Sequence, residues 1–300
     1  MKLINEKRPH ILDANTEKLL TEAQDALSTP SNVYGMFSNA DLEFEDAIDK
    51  DGQAYPLTQG TFIKYLESDD RELRASAFRN VYKAYGAHNN TLGATLAGEV
   101  KKNVFNARTH HYRSARERAL SNNHIPEAVY DNLIKTVHKY LPLLHRYTKL
   151  RQELLGLDDL KMYDLYTPLV KDVKFEMPYE EAKSWMLKAL EPMGEEYLNV
   201  VKKGLDNRWV DVYENKGKRS GGYSSGGHLT NPFILLNWSD TVSDLYTLVH
   251  EFGHSAHSYF SRQNQPSNLS DYTIFVAEVA STCNEALLSD YMDKHLDDER

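Results

Sequence analysis

The stretch TLVHEFGHSAHSYFS, Thr247 to Ser261, decides how the rest of the chain is read. On an α-helix, residues i and i+4 lie about 40° apart around the axis and about 6 Å along it. His250 and His254 therefore present two imidazoles to one metal ion, and neutral imidazole suits Zn²⁺. Glu251 lies about 100° round from His250. It stands beside the metal rather than on it, placed to take a proton from a polarised water. Two ligands and a base at this spacing form the H-E-x-x-H pattern. Histidine supplies 12 of 300 residues. Chance alone then yields the three fixed letters in roughly 4% of such chains, so the pattern needs context.

The flanking sequence supplies it. Val242, Leu245, Leu248, Val249 and Phe252 form an apolar stripe, and Asp240, Ser243 or Asp244 is a candidate helix start. Upstream, NKGKRSGGYSSGGHLTNPFILLNWSD clusters glycines between Gly221 and Gly227 and continues into PFILLNW, a short buried strand. These segments predict a small β-sheet next to the H-E-x-x-H helix. His228 reads as a turn histidine without a role.

A third ligand must come from elsewhere. His257 lies about 10.5 Å along a continuous helix from His250, too far to share one ion with both other histidines. It reads as a histidine at the surface or behind the ligands. The pattern H-E-x-x-H-x-x-G-x-x-H would need glycine where His257 stands and histidine where Phe260 stands, so that class is excluded. A second helix offers a carboxylate. In DYTIFVAEVASTCNEALLSDYM, Asp271 is a candidate cap and Phe275, Val279 and Leu287 are candidate packing residues. Glu278 sits in an apolar context where an unpaired carboxylate is costly to bury. A metal removes that cost, giving two histidines, one glutamate and an open fourth position. The other reading is a salt-bridged core glutamate. Glu285, two turns on, either orients a ligand histidine or faces solvent.

Most of the remaining chain reads as helix. NTEKLLTEAQDAL has a candidate N-cap at Asn15, and DLEFEDAIDKDGQAYPLT alternates about Asp51-Gly52 as a β-hairpin. A helical region follows from Asp69 to Leu120, with Gly86, Gly93 and Gly98 as candidate bends or breaks. Ile125 to Gly156 forms another, ended by Gly156 and kinked or divided at Pro142. Tyr179 to Leu205 continues the theme. The fold class is mainly α.

Composition narrows the partners. The net charge of −9 disfavours nucleic acid or an anionic membrane. The basic run RTHHYRSARER, Arg108 to Arg118, reads as a solvated helix face. No apolar run approaches the ~18 residues of a membrane span, and the N-terminus lacks the apolar core of a signal peptide. The single cysteine, Cys283, excludes an internal disulfide and suits a reducing cytoplasm. The last helix runs out without a glycine or proline stop, so the sequence reads as part of a longer protein.

TLVHEFGHSAHSYFS, followed from Glu278 by EVASTCNEALL, resembles the M3 metallopeptidases, specifically the oligoendopeptidase F branch. MYDLYTPLV (Met162 to Val170) and GGYSSGGHLTNPFILLNW (Gly221 to Trp238) agree. The resemblance implies a helical zincin-type metallopeptidase with a deep channel that admits short peptides. It implies one Zn²⁺ on His250, His254 and Glu278, with Glu251 as base, and cytoplasmic peptide turnover. It also implies a protein about twice as long, with His and Tyr groups further on. On this view residues 1–70 are a helical segment with a hairpin, 71–210 a helical channel wall, and 211–300 part of the catalytic region. Gly221, Gly222 and Tyr223 are expected to offer a strand edge to an extended substrate, with an ordinary hairpin as the other reading. The expected function is a zinc-dependent endopeptidase acting on internal bonds of short oligopeptides. The alternatives are an H-E-x-x-H carboxypeptidase, and an inactive fragment or helical binding module that keeps the metal site. A closed structural zinc site is disfavoured, because such sites use four protein ligands rich in cysteine.

Overall fold

A computed structural model describes residues 2–170 and 176–296. In chain order it runs α1 (Lys2–Lys7), α2 (Ala14–Leu27), α3 (Thr29–Met36), β1 (Ala47–Ile48), β2 (Ala54–Tyr55), α4 (Phe62–Leu66), α5 (Arg71–Gly86), α6 (Asn89–Thr109), α7 (Ala115–Ser121) and α8 (Glu127–Leu154). It continues with α9 (Tyr179–Ala189), α10 (Glu195–Asp206), β3 (Val210–Asp211), β4 (Tyr223–Ser225), β5 (Phe233–Leu235), α11 (Val242–Asn264) and α12 (Ile274–His295). The mainly α expectation holds. Among the described residues no helix is long and apolar enough to cross a membrane. Internal contacts group residues 1–45 with 79–165, and residues 46–78 with 166–300.

In the first unit, α2 is capped by Asp13, not Asn15. Asp13 Oδ1 accepts the Asn15 and Thr16 N–H groups at 3.1 Å, which leaves Asn15 inside the first turn. The helical region after Asp69 does break after Gly86 but continues as one helix through Gly93 and Gly98. A Cβ at Gly98 would stand 2.7 Å from Pro30 Cγ, so this glycine admits α3 rather than ending α6. The further break falls at His111, whose φ is 60°. Pro142 does not divide α8: it removes one N–H from the ladder, and the leucine-rich turns on either side remain helical. Gly156, with φ 65°, ends that helix as expected. Its N–H bonds Glu153 O and that of Leu157 bonds Gln152 O, a Schellman closure. The apolar side of α8, including Leu133, Val137, Tyr140 and Leu144, is exposed.

The second unit holds the main core. Met177, Met186, Leu190, Val201, Ile234, Leu245, Leu248, Val249, Phe252 and Leu288 form one buried cluster across α9, α10, β5, α11 and α12. The hairpin β1–β2 forms about Asp51-Gly52 as expected, pairing Ala47 with Tyr55. The glycine-rich sheet gains a third strand. β5 lies centrally, parallel to β3 and antiparallel to β4, with Ser224 opposite Ile234. β3 is too short to show a period in the sequence.

Helix α11 is capped by Thr241, not by Asp240, Ser243 or Asp244. The Thr241 hydroxyl accepts Asp244 N–H while the Asp244 side chain accepts Thr241 N–H, a capping box in which Asp244 is the partner rather than the cap. Most of the expected stripe is buried: Leu245, Leu248, Val249 and Phe252 have no exposure, while Val242 at the helix start is half-buried. Helix α12 departs from expectation. Thr273, not Asp271, precedes it, and no side chain caps it. Phe275 and Val279 are exposed, whereas Leu287 packs on the core. At about 100° per residue, the buried Ser281, Asn284 and Leu288 share a face and Phe275 and Val279 point away from it.

Candidate metal centre

The centre stands between α11 and α12. His250 Nε2 and His254 Nε2 are 3.1 Å apart, and Glu278 Oε2 lies 3.3 Å from the first and 3.4 Å from the second. Bonds of about 2.0–2.1 Å in a tetrahedral zinc site separate its donors by about 3.3 Å. The three edges here thus match one tetrahedral face, and two imidazoles with a carboxylate are a donor set that zinc accepts. Glu278 is not buried as its sequence context suggested; its side chain is 57% exposed. Its Oε2 accepts from the Ser281 hydroxyl at 2.8 Å and faces both histidines.

Glu285 Oε1 lies 2.5 Å from His250 Nδ1. A carboxylate only accepts, so the proton belongs on Nδ1 and Nε2 keeps its lone pair for a metal. His254 is held below the ordinary histidine pKa by burial, which outweighs the opposing pull of Glu278. The neutral, ligating form is thereby favoured.

Glu251 is buried at 6% exposure. Burial pushes its carboxyl above the usual range, partly offset by His250 and by a hydrogen bond from the Ser224 main chain. Its Oε2 has no hydrogen-bond partner among the described residues. A buried carboxylate with one unengaged oxygen and a raised proton affinity can both take and return a proton.

The glycine-rich strand lies on this helix. A Cβ at Gly222 would stand 2.7 Å from Thr247 Cγ2 and 3.5 Å from Glu251 Oε1, so only glycine lets the strand approach. Gly221 adopts φ 85°. Tyr223 begins β4, an edge strand, and is partly exposed. Ser224 Oγ meets the fully buried Ser255 Oγ at 2.8 Å and ties β4 to α11. His257 lies outside the three-donor group. Its ring stacks on Tyr272 at 3.7 Å, and burial lowers its pKa.

Sequence reasoning missed Gly253, Ser281 and Asn284. A Cβ at Gly253 would stand 2.6 Å from Ser281 Cα, and Asn284 Nδ2 donates to Val249 O at 3.0 Å. The available signal was small or amide residues, rather than apolar ones, on the facing sides of the two helices that carry the candidate ligands.

Comparison with known proteins places the chain in a family. Residues 64–299 match peptidase family M3, and residues 1–44 match the oligopeptidase F description. Oligopeptidase PepF of Bacillus subtilis is 57% identical over 99% of this chain and 44% of its own length. Group B oligopeptidase PepB of Streptococcus agalactiae is 48% identical over 98% of this chain and 49% of its own. The crystal structure of oligoendopeptidase-F from Enterococcus faecium superposes with a TM-score of 0.65 at 39% identity, covering 99% of this chain and 46% of that one. The chain thus spans about half the length of the relatives it matches.

Proposed function

The chain belongs to peptidase family M3, and on that premise we propose that it carries the metal-binding and proton-transferring part of an endopeptidase for short oligopeptides. The observation that supports this most is the convergence of His250 Nε2, His254 Nε2 and Glu278 Oε2 at 3.1 to 3.4 Å. The metal is zinc, one ion per chain, held by those three residues with Glu285 fixing the tautomer of His250.

When bound, zinc supplies Lewis acidity that polarises a carbonyl and eases the deprotonation of water. Glu251 does the proton work. Its unengaged Oε2 takes a proton from water and returns it to the leaving amine, and burial, which raises its proton affinity, favours the protonated form between the two steps. β4 offers an edge for an extended peptide through Tyr223 and the adjoining Gly221 and Gly222, so that main chain pairs with main chain whatever the side chains. The single exposed cysteine fits a cytoplasmic setting.

A quenched fluorescent oligopeptide incubated with the chain and with Glu251→Gln, followed by product masses, tests the reading. Internal cleavage by the wild type and at least a hundredfold loss in the variant is the expected outcome. Equal rates would remove Glu251 from the mechanism. Release of terminal residues alone would make the enzyme an exopeptidase. No cleavage by the wild type would contradict activity in this chain by itself.

A further inference from the structure

Helices α11 and α12 touch at Gly253. A Cβ there would stand 2.6 Å from Ser281 Cα and 2.9 Å from both Ala280 O and Ser281 N. These are main-chain atoms of α12 and cannot swing aside as the end of a side chain can. Ordinary carbon contacts lie at about 3.5–4.0 Å, so any side chain at 253 would drive the helices apart by about 1 Å. Glycine is a poor helix former, yet it occupies this position in mid-α11 between the two histidines.

Two buried side chains act at the same level. Asn284 has no exposure; its Nδ2–H donates to Val249 O at 3.0 Å and its Oδ1 accepts from Tyr197 O–H at 2.9 Å. Val249 and Gly253 are joined by the i, i+4 ladder, so this bond lands on the turn of α11 that carries the helix contact. Ser281 also has no exposure, and its hydroxyl lies 2.8 Å from Glu278 Oε2 and 3.1 Å from Glu278 O. Oε2 is the oxygen that faces both histidines.

We infer that Gly253, Ser281 and Asn284 are positioning residues of the metal centre. The missing side chain at 253 sets the distance between the two metal-bearing helices. Asn284 sets how far one slides along the other. Ser281 turns the half-exposed Glu278 carboxylate toward the histidines. A shift of about 1 Å would open the 3.3 and 3.4 Å edges beyond the reach of one tetrahedral ion. This inference rests on the metal reading proposed above.

The test is Zn²⁺ affinity of the full chain by competition with a chromogenic chelator, with circular dichroism on the same samples and Co²⁺ absorption as a probe of coordination. Gly253→Ala and Ser281→Ala should bind Zn²⁺ roughly 10–100-fold more weakly, as losses behind metal ligands do. Helix content should be unchanged and the Co²⁺ bands altered. Gly93→Ala, with open space around it in α6, should match the wild type. Wild-type affinity in Gly253→Ala overturns the inference. If that variant does not fold, Ser281→Ala decides: weakened binding supports the inference and wild-type affinity overturns it. A wild type that binds no Zn²⁺ overturns the metal reading and the inference together, whereas tight binding indifferent to both substitutions overturns the inference alone.

Discussion

Helices α8 and α11 resemble each other in sequence and diverge in the fold. Both are long and amphipathic, at 28 and 23 residues. In α11 Leu245, Leu248, Val249 and Phe252 are fully buried against the core of its unit, whereas Leu133, Val137, Tyr140 and Leu144 of α8 are exposed. Among the described hydrophobic residues of the first unit, Val81 and Ala107 are the buried ones. Apolar periodicity says that a face can be covered; it does not say what covers it. The α11 stripe finds its cover in α9, α10, α12 and the sheet, and the candidate metal ligands of α11 stand on that packed helix.

Stability measurements turn this difference into numbers. The largest effect should come from Leu248→Ala, which empties a fully buried site and costs about 2–5 kcal/mol in denaturant unfolding. A cost below about 1 kcal/mol would mean that the α11 core is not tightly packed. Next, Zn²⁺ at a hundredfold excess over its dissociation constant should stabilise by about 2.7 kcal/mol. Hydrogen exchange should slow in α11 and α12 and stay unchanged in α8; equal slowing in α8 would break the contrast. Thr241→Ala, which removes the hydroxyl of the capping box at the start of α11, should cost about 1 kcal/mol. The smallest change belongs to Leu144→Ala in the exposed face of α8, within about 0.5 kcal/mol. A cost comparable to that of Leu248→Ala would show that this face is covered in solution.

What was legible in the sequence was local. The i, i+4 spacing placed His250 and His254 together, and the structure brings Glu278 to both rings and Glu285 to that of His250. The argument for Glu278 from burial did not hold, because the apolar residues around it face outward and an apolar context in sequence is not a buried one. Caps were displaced by a residue or two where several capping types stood close together, as at Asp13 and Asn15 or Asp271 and Thr273. Contacts between distant segments carried no local signal. The parallel pairing of β3 with β5, the Ser224–Ser255 tie and the Gly253–Ser281 crossing each join elements that periodicity treats separately.

The central claim is that one face of α11 and one face of α12 close on a single zinc ion through two imidazoles and a carboxylate. X-ray absorption at the zinc edge of the metal-loaded chain tests it most directly. The predicted result is one zinc per chain with a shell of nitrogen and oxygen at about 2.0–2.1 Å, the outer-shell scattering of two imidazoles, and loss of one imidazole in His254→Ala. Sulfur scattering at about 2.3 Å, which would bring in Cys283, or a spectrum unchanged by His254→Ala, would contradict it.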